Sequence, residues 1–298
     1  MDFIVGFDCG ATSTKLQVYS TNGQKILNLS DGPANFTLNF NNSANNVLTL
    51  LAELLTKLGK TGKCQLCVIG AAGIEAGDNK AKLAKLIVKQ FPQLLNKVII
   101  INDAQLAHLA KLEGQIGILA VSGTGSIILS NFNNIWKITG GRGYLLGDQG
   151  SAHWLGLQAL KNIMNEIDNN KPPSSQSKNI YKKIGVKENN RGDILSWTYK
   201  APRSDIAALA ILVDDNTLLN KAGEELVKQI IEASSFTNEM HIKVAFNGSV
   251  IEKNQIVQKA IITKLEKSNK NFSIIKSNNP ANMGSLFLYK QLQKTKTS

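Results

Sequence analysis

The chain has 298 residues, of which 43% are apolar and 19% charged, so a disordered chain is excluded and about two domains are expected. Its formal net charge of +12 comes mainly from lysines, since arginines are few and aromatic residues make up 6%, which favours a solvated lysine-rich surface over a nucleic-acid-binding face. There is no apolar run of about 18 residues, no signal peptide and no disulfide framework, so we expect a cytoplasmic protein that binds neither membrane nor nucleic acid.

Hydrophobic patterning in the first half predicts a three-stranded meander followed by alternating helices and strands. The predicted elements are strands at 3–8, 15–20 and 25–30, a helix from Ser43 that closes at Gly59, a strand at 65–70, a helix at 79–91 and a strand at 97–102. A further helix begins at Asn102 or Asp103, at the carboxyl end of the last strand.

The same order restarts after Gly114, so the chain contains an internal repeat of topology rather than of residue identity. The predicted elements are strands at 116–121, 126–131 and 135–139, a glycine-rich loop at 140–150, a helix at 151–168, a linker at 169–177, a mostly helical region at 178–235, a strand at 243–247, a helix at 252–268, a strand at 272–276 and a helix at 283–294. This pattern indicates two α/β domains with a ligand cleft between them.

We therefore predict an N-terminal domain at residues 1–114 and a C-terminal domain at residues 115–298. The last helix, at about 283–294, is able to pack back on the N-terminal domain.

Two polar loops occupy the same place in the two repeats, between the first and second strands. The first is DCGATSTK at 8–15, and the second is VSGTGS at 121–126. Small residues, hydroxyls and backbone N–H groups can wrap a phosphate chain, and Asp8 can hold a hydrated Mg²⁺. Each loop alone also fits an ordinary polar hairpin, but their repeated position favours two phosphate-binding hairpins that hold one nucleotide triphosphate.

Three further segments could carry chemistry. Asp103 is placed to take a proton from a substrate hydroxyl, although on spacing alone a helix N-cap explains it better. The segment GGRGYLLGDQGS at 140–151 is dense in glycine, which favours a ligand loop over a flexible one. The segment AFNGSV at 245–250 would let a flat base lie against backbone, or is an ordinary strand–helix connection.

Together these segments resemble the acetate-and-sugar-kinase, heat-shock-protein-70 and actin superfamily, and within it the BadF/BadG/BcrA/BcrD ATPase family, especially its N-acetylglucosamine kinase branch. DCGATSTK resembles the first phosphate motif, IND the segment with the catalytic Asp, VSGTGS the second phosphate motif, GGRGYLLGDQGSAHWLG the most specific signature and FNGSV the adenosine motif. The resemblance implies an α/β fold of two ribonuclease-H-like (actin-like ATPase) domains.

The resemblance also implies phosphoryl transfer from MgATP to the 6-hydroxyl of an N-acetylated amino sugar, with N-acetylglucosamine first and N-acetylmuramic acid next. Asp103 would be the general base, and Asp8 would organise Mg²⁺. The sugar-side positions are Asn35, Asn102, Ser126, Gly141, Arg142, Gly143 and Asp148. The ATP-side positions are Gly10, Thr12, Ser13, Thr14, Lys15, Gly123, Thr124, Gly125, Ala207, Gly248, Ser249 and Val250. A homodimer through the second domain is a further expectation from the resemblance.

The sequence departs from the family pattern at Cys9 and Ala11, where glycines are usual, and at Asn247, where a glycine is common. Two other functions stay open. An ATPase that activates an iron–sulfur dehydratase or reductase would need cysteines that share a cluster across a dimer, and the second half of this chain has none. A non-catalytic sugar sensor on the same fold would not need Asp103, so the presence of that residue favours catalysis.

Overall fold

The computed structural model describes residues 1–10, 12–58 and 62–297. The chain divides into two compact units, one of Met1–Gln115 with Lys276–Ser298 and the other of Ile116–Ile275. The predicted second domain, 115–298, is therefore corrected at its end, because the whole C-terminal segment from Lys276 belongs to the first unit.

The first unit is built on a five-stranded sheet in the order β3-β2-β1-β4-β5. The strands are β1 Asp2–Cys9, β2 Thr14–Ser20, β3 Lys25–Asp31, β4 Lys63–Ala71 and β5 Val98–Asn102. Its helices are α1 Phe40–Leu58, α2 Asn79–Gln90, α3 Asp103–Lys111 and, from the end of the chain, α12 Gly284–Thr297. β1, β2 and β3 pair antiparallel, whereas β4 and β5 run parallel to β1.

Helix α1 begins at Phe40, before the predicted start at Ser43. Asn39 explains the earlier start, since its side chain accepts the backbone N–H of Asn42 at 3.0 Å and its carbonyl accepts that of Ser43 at 3.1 Å. The predicted end at Gly59 lies outside the described residues.

Both faces of the first sheet are covered, so β1 is buried without alternation from Phe3 to Phe7. One face packs against α1 and α2, and the other packs Ile4 against Leu106 of α3 and Leu286 of α12. Glycine allows the C-terminal segment to approach β1, because a Cβ on Gly6 would lie 2.0 Å from the carbonyl oxygen of Asn282. This close packing is why residues after Lys276 join the first unit.

The second unit repeats the same sheet order, β8-β7-β6-β9-β10, with the first three strands antiparallel and the last two parallel to β6. The strands are β6 Gly117–Ser122, β7 Ser126–Phe132, β8 Ile135–Gly140, β9 His241–Asn247 and β10 Asn271–Ile275. The internal repeat and the α/β class predicted from the sequence are thus confirmed.

The helices of the second unit lie between β8 and β10. They are α4 Gly143–Leu146, α5 Ala152–Asp168, α6 Ser175–Ile184, α7 Arg191–Lys200, α8 Arg203–Ala208, α9 Asn216–Ser234, α10 Ser249–Lys253 and α11 Gln255–Leu265. In the part of the chain described, no helix is both long and apolar enough to cross a bilayer.

Two local predictions in this unit are wrong. The single helix expected at 252–268 is split at Asn254, whose extended backbone ends α10 and whose side chain accepts the N–H groups of Ile256 and Val257 to cap α11. The linker expected at 169–177 is shorter, because Ser174 accepts the N–H of Ser177 and starts α6.

Candidate active site

Two backbone hydrogen bonds hold Gly10, which directly follows β1. Gly10 N–H donates to the Ser13 carbonyl at 3.1 Å, and the Gly10 carbonyl accepts the N–H of Ala34 at 2.9 Å. Thr14, predicted to contact phosphate, is buried and donates its hydroxyl to the Gly32 carbonyl at 2.8 Å, so it shapes the loop. Thr12 and Lys15 are exposed and remain open to an anion.

Asp8 and Asp103 lie at the carboxyl ends of strands β1 and β5 of the first sheet. Asp8 pairs in register with Gly70 of β4, and Gly70 pairs with Ile101 of β5, two residues before Asp103. Burial raises the pKa of the Asp8 carboxyl, while the Lys15 charge lowers it. Burial also raises the pKa of Asp103, an effect that the Ala104 N–H opposes and the negative charge of Asp8 adds to.

Asn102, rather than Asp103, caps helix α3. The Asn102 side chain accepts the N–H of Ala104 at 2.8 Å, and its own N–H donates to the side chain of Gln105 at 3.0 Å. This reciprocal pair is a capping box. The N-cap interpretation of Asp103 is therefore wrong: Asp103 is the first residue of the helix, and its carboxyl is near enough to Asp8 for that charge to raise its pKa.

Asn35 also lies at the carboxyl ends of these strands, although it does not belong to a strand itself. It forms a parallel bridge with Ala72, directly after β4, and Phe36 donates its N–H to the Ala72 carbonyl at 2.9 Å. The Asn35 side-chain oxygen accepts the N–H of Thr37 at 3.1 Å, which fixes its orientation. The predicted sugar-side residues of the first unit, Asn35 and Asn102, thus gather at the carboxyl ends of β4 and β5.

In the second unit, the loop between β6 and β7 rests on the start of α5. Gly123 N–H donates to the Gly125 carbonyl at 3.0 Å, and the Gly123 carbonyl accepts the N–H of Ala152 at 2.8 Å. The Thr124 carbonyl accepts the N–H of His153 at 3.2 Å. The Thr124 side chain itself is exposed, so this loop offers a hydroxyl beside two glycines.

The Asp148 side chain is held under this loop by two contacts. Its carboxylate accepts the Ser126 N–H at 3.3 Å and the Arg203 Nη2 at 2.6 Å. Ser126 is also buried and donates its hydroxyl to the Gln149 carbonyl at 2.8 Å, so this predicted sugar-side serine supports the loop. A Cβ on Gly125 would lie 2.2 Å from the Arg203 Nη2, which explains the glycine at that position.

The glycine-rich loop after β8 needs its glycines because its backbone adopts left-handed conformations. Gly140, Gly141 and Gly143 all have positive φ, and Gly141 N–H donates to the Ser126 carbonyl at 3.2 Å. The loop then forms the single turn of α4 and presents the Arg142 side chain to solvent. The predicted sugar-side residues of the second unit thus lie on one connected set of loops.

Three of the seven predicted ATP-side residues of the second unit line a cavity of about 650 Å³. Ala207 of α8 and Ser249 and Val250 of α10 all contribute to its wall. Gly248 turns the chain there with φ +105°, and a Cβ on it would lie 2.5 Å from the Ser122 carbonyl oxygen. Lys183 and Lys253, which the sequence reasoning missed, add two positive charges to the lining.

A model of the BadF/BadG/BcrA/BcrD ATPase family matches residues 5–284. The chain belongs to this family. It is 26% identical to an N-acetylmuramic acid/N-acetylglucosamine kinase of Clostridium acetobutylicum, across 84% of this chain and 86% of that protein. It is 22% identical to an N-acetyl-D-glucosamine kinase of Dictyostelium discoideum, across 96% and 97% of the two chains.

The fold is also shared with a solved structure. That structure is a candidate N-acetylglucosamine kinase from Chromobacterium violaceum, with a TM-score of 0.72, 22% identity, and coverage of 96% of this chain and 98% of that one. This similarity supports the two-domain actin-like ATPase fold.

Arg203 lies outside every motif described above. It lies 55 residues after Asp148, on a short helix without a motif of its own. The only available signal was the scarcity of arginine, because the chain has arginine at just 142, 191 and 203.

Proposed function

We propose that this protein is an ATP-dependent kinase that phosphorylates the 6-hydroxyl of an N-acetylated amino sugar. The observation that carries the proposal is the position of Asp103, at the carboxyl end of β5 with Asn102 taking over the helix cap. Its raised pKa suits a carboxylate that must accept a proton from a hydroxyl near neutral pH. Family membership and the names of the relatives support the same reaction class.

The proposal divides the work between the two units. Sugar contacts are assigned to Asn35, Asn102 and Asp103 in the first unit, and to the Ser126, Gly141–Gly143 and Asp148 region in the second. Phosphate contacts are assigned to the two β-hairpin loops, and the nucleoside to the cavity lined by Ala207, Ser249 and Val250. Catalysis would then consist mainly of positioning and charge neutralisation, as in other phosphoryl transfers.

Mg²⁺ fits this scheme through Asp8. Among the described residues, no group of three or more His, Cys, Asp or Glu side chains could hold a metal by itself. Mg²⁺ in kinases usually takes one or two carboxylates, with waters and substrate phosphates completing its shell. We assign that carboxylate to Asp8, and the bound ion would neutralise phosphate charge.

N-Acetylglucosamine is the proposed first substrate, because the Clostridium and Dictyostelium relatives both carry it in their names. N-Acetylmuramic acid is the second, on the name of the Clostridium relative alone. The iron–sulfur alternative is disfavoured, because Cys9, Cys64 and Cys67 are all buried and burial raises the pKa of each thiol, which opposes the thiolate that a cluster needs. The cytoplasmic location and the homodimer stay predictions.

The test is an ADP-release assay with N-acetylglucosamine, N-acetylmuramic acid, glucosamine and glucose as acceptors. We expect ADP release that depends on an N-acetylated sugar, and a fall of about 10²- to 10⁴-fold in Asp103→Asn with nucleotide binding retained. The exposed Asp78, paired with Lys82, gives the matched control Asp78→Asn, which should keep full activity. ADP release independent of every sugar, or an active Asp103→Asn enzyme, would contradict the proposal.

A further inference from the structure

Among the ion pairs of the described residues, the pair of Arg203 with Asp148 has the most deeply buried carboxylate. The Arg203 Nη2 lies 2.6 Å from the Asp148 carboxylate, and the Asp148 side chain is only 4% exposed, against 38% for that of Arg203. Arg191 and Asp168 also form a pair, but both of those side chains are about half exposed. Exposed pairs contribute little, whereas a buried carboxylate depends strongly on its partner.

Asp148 needs that partner because little else holds it. Its backbone has φ +60°, which is unfavourable for a residue with a side chain, and besides Arg203 its carboxylate accepts a longer contact of 3.3 Å from the Ser126 N–H. An ionised carboxylate in such a buried place is stable only when its charge is matched. The Arg203 guanidinium is the charge that matches it.

The surrounding backbone is shaped to let Arg203 reach Asp148. Helix α8 lies directly on α5, since a Cβ on Gly156 would stand 2.0 Å from the Ile206 carbonyl oxygen. Gly125 leaves room for the guanidinium itself, and the Tyr144 ring lies 5.7 Å from its central carbon. Gly156 and Gly125 therefore allow the close packing that brings Arg203 to Asp148, and the Tyr144 ring lies against its guanidinium.

We propose that Arg203 is a positioning residue of the sugar site, which holds the Asp148 carboxylate in the orientation that the acceptor sugar needs. The inference rests on the proposed kinase function, where Asp148 is a sugar-side residue. Arg203 acts through Asp148, so its loss should weaken sugar binding and spare the nucleotide.

The kinetic test compares Arg203→Met, Arg203→Lys and the control Arg191→Met. We expect Arg203→Met to raise the KM for N-acetylglucosamine roughly ten- to a hundredfold, with the KM for ATP changed less than about twofold. Arg203→Lys keeps the charge but loses the planar fork, so its sugar KM should fall between those of Arg203→Met and the unchanged enzyme. Arg191→Met should leave both constants unchanged.

A double-mutant cycle with Asp148→Asn separates positioning from a general structural role. Because Arg203 acts through Asp148, adding Arg203→Met to Asp148→Asn should raise the sugar KM no further. The melting temperature should fall in Arg203→Met and recover in the double variant, since the uncompensated buried charge is then gone.

Three results would overturn the inference: a rise in the ATP KM in place of the sugar KM, multiplicative effects in the cycle, or no recovery of melting temperature. If the unaltered protein releases no ADP with any amino sugar, the kinase proposal itself fails. The melting cycle then still reports on the pair alone.

Discussion

At the scale of single residues, the two carboxyl groups Asp8 and Asp103 of the first unit have different charged neighbours. Asp8 lies beside Lys15, whose charge lowers its pKa against the effect of burial, whereas Asp103 lies beside the negative charge of Asp8. The neighbouring charges therefore act in opposite directions on the two groups. Burial raises the pKa of both carboxyls, and at Asp103 the charge of Asp8 adds to the rise, which suits the proton acceptor of the proposed reaction.

The pH dependence of the reaction should report this environment. A raised pKa means that Asp103 is protonated, and unable to accept a proton, up to a higher pH than an ordinary Asp of about 3.9. We expect kcat/KM for the sugar to fall on the acid side with a midpoint above that value. The measurement is a pH–rate profile accompanied by circular dichroism at each pH. A profile that stays flat down to pH of about 4 would contradict it.

At the scale of elements, the position of Asp103 depends on how closely α3 lies on β4. A Cβ on Gly70 would stand 2.5 Å from Leu106 Cδ2 and 2.6 Å from Leu106 Cβ. Because Gly70 has no side chain, helix α3 can pack close enough to β4 to place Asp103 at the carboxyl end of β5.

Gly70→Ala should therefore push α3 away from the sheet. We expect a loss of about 1–3 kcal/mol in unfolding free energy and a fall in kcat, as is typical of overpacked contacts. Urea unfolding and the ADP-release assay measure the two effects. Gly192→Ala is the matched control, because a Cβ there meets only the Asn190 side-chain oxygen at 3.5 Å. Equal effects of the two substitutions would show that packing on α3 is not the cause.

Much of this element structure could be predicted from local pattern. The alternating and apolar runs defined the strands, and polar residues after each first strand pointed to the two loops. The sequence could not show which of Asn102 and Asp103 caps α3, because both residue types are favoured at an N-cap. Nor could the Arg203–Asp148 pair, since ion pairs between residues far apart in sequence leave no periodic signal.

At the scale of the whole molecule, each unit has its own core. Leu286 is buried with Ile4 and Leu106 in the first unit, and Leu226 is buried in the core of the second. Two units with separate cores need not unfold in a single transition.

Paired substitutions should therefore act on different transitions. Leu286→Ala and Leu226→Ala each remove a fully buried side chain, and we expect each to destabilise its own unit by about 2–5 kcal/mol. Differential scanning calorimetry, with proteolysis to identify the unit that opens first, should find a different unit weakened in each variant. The same unit opening first in both variants would contradict independent cores.

The path of the chain through the two units has a consequence for biosynthesis. The second unit is one continuous stretch, but the first needs the segment from Lys276 onward to cover the α3 face of its sheet. Domains normally mature on the ribosome in the order of their synthesis. In this chain the first unit is synthesised first, but its sheet face that carries Ile4 is covered only after α12 has been synthesised. The second unit can therefore complete its core before the first unit does.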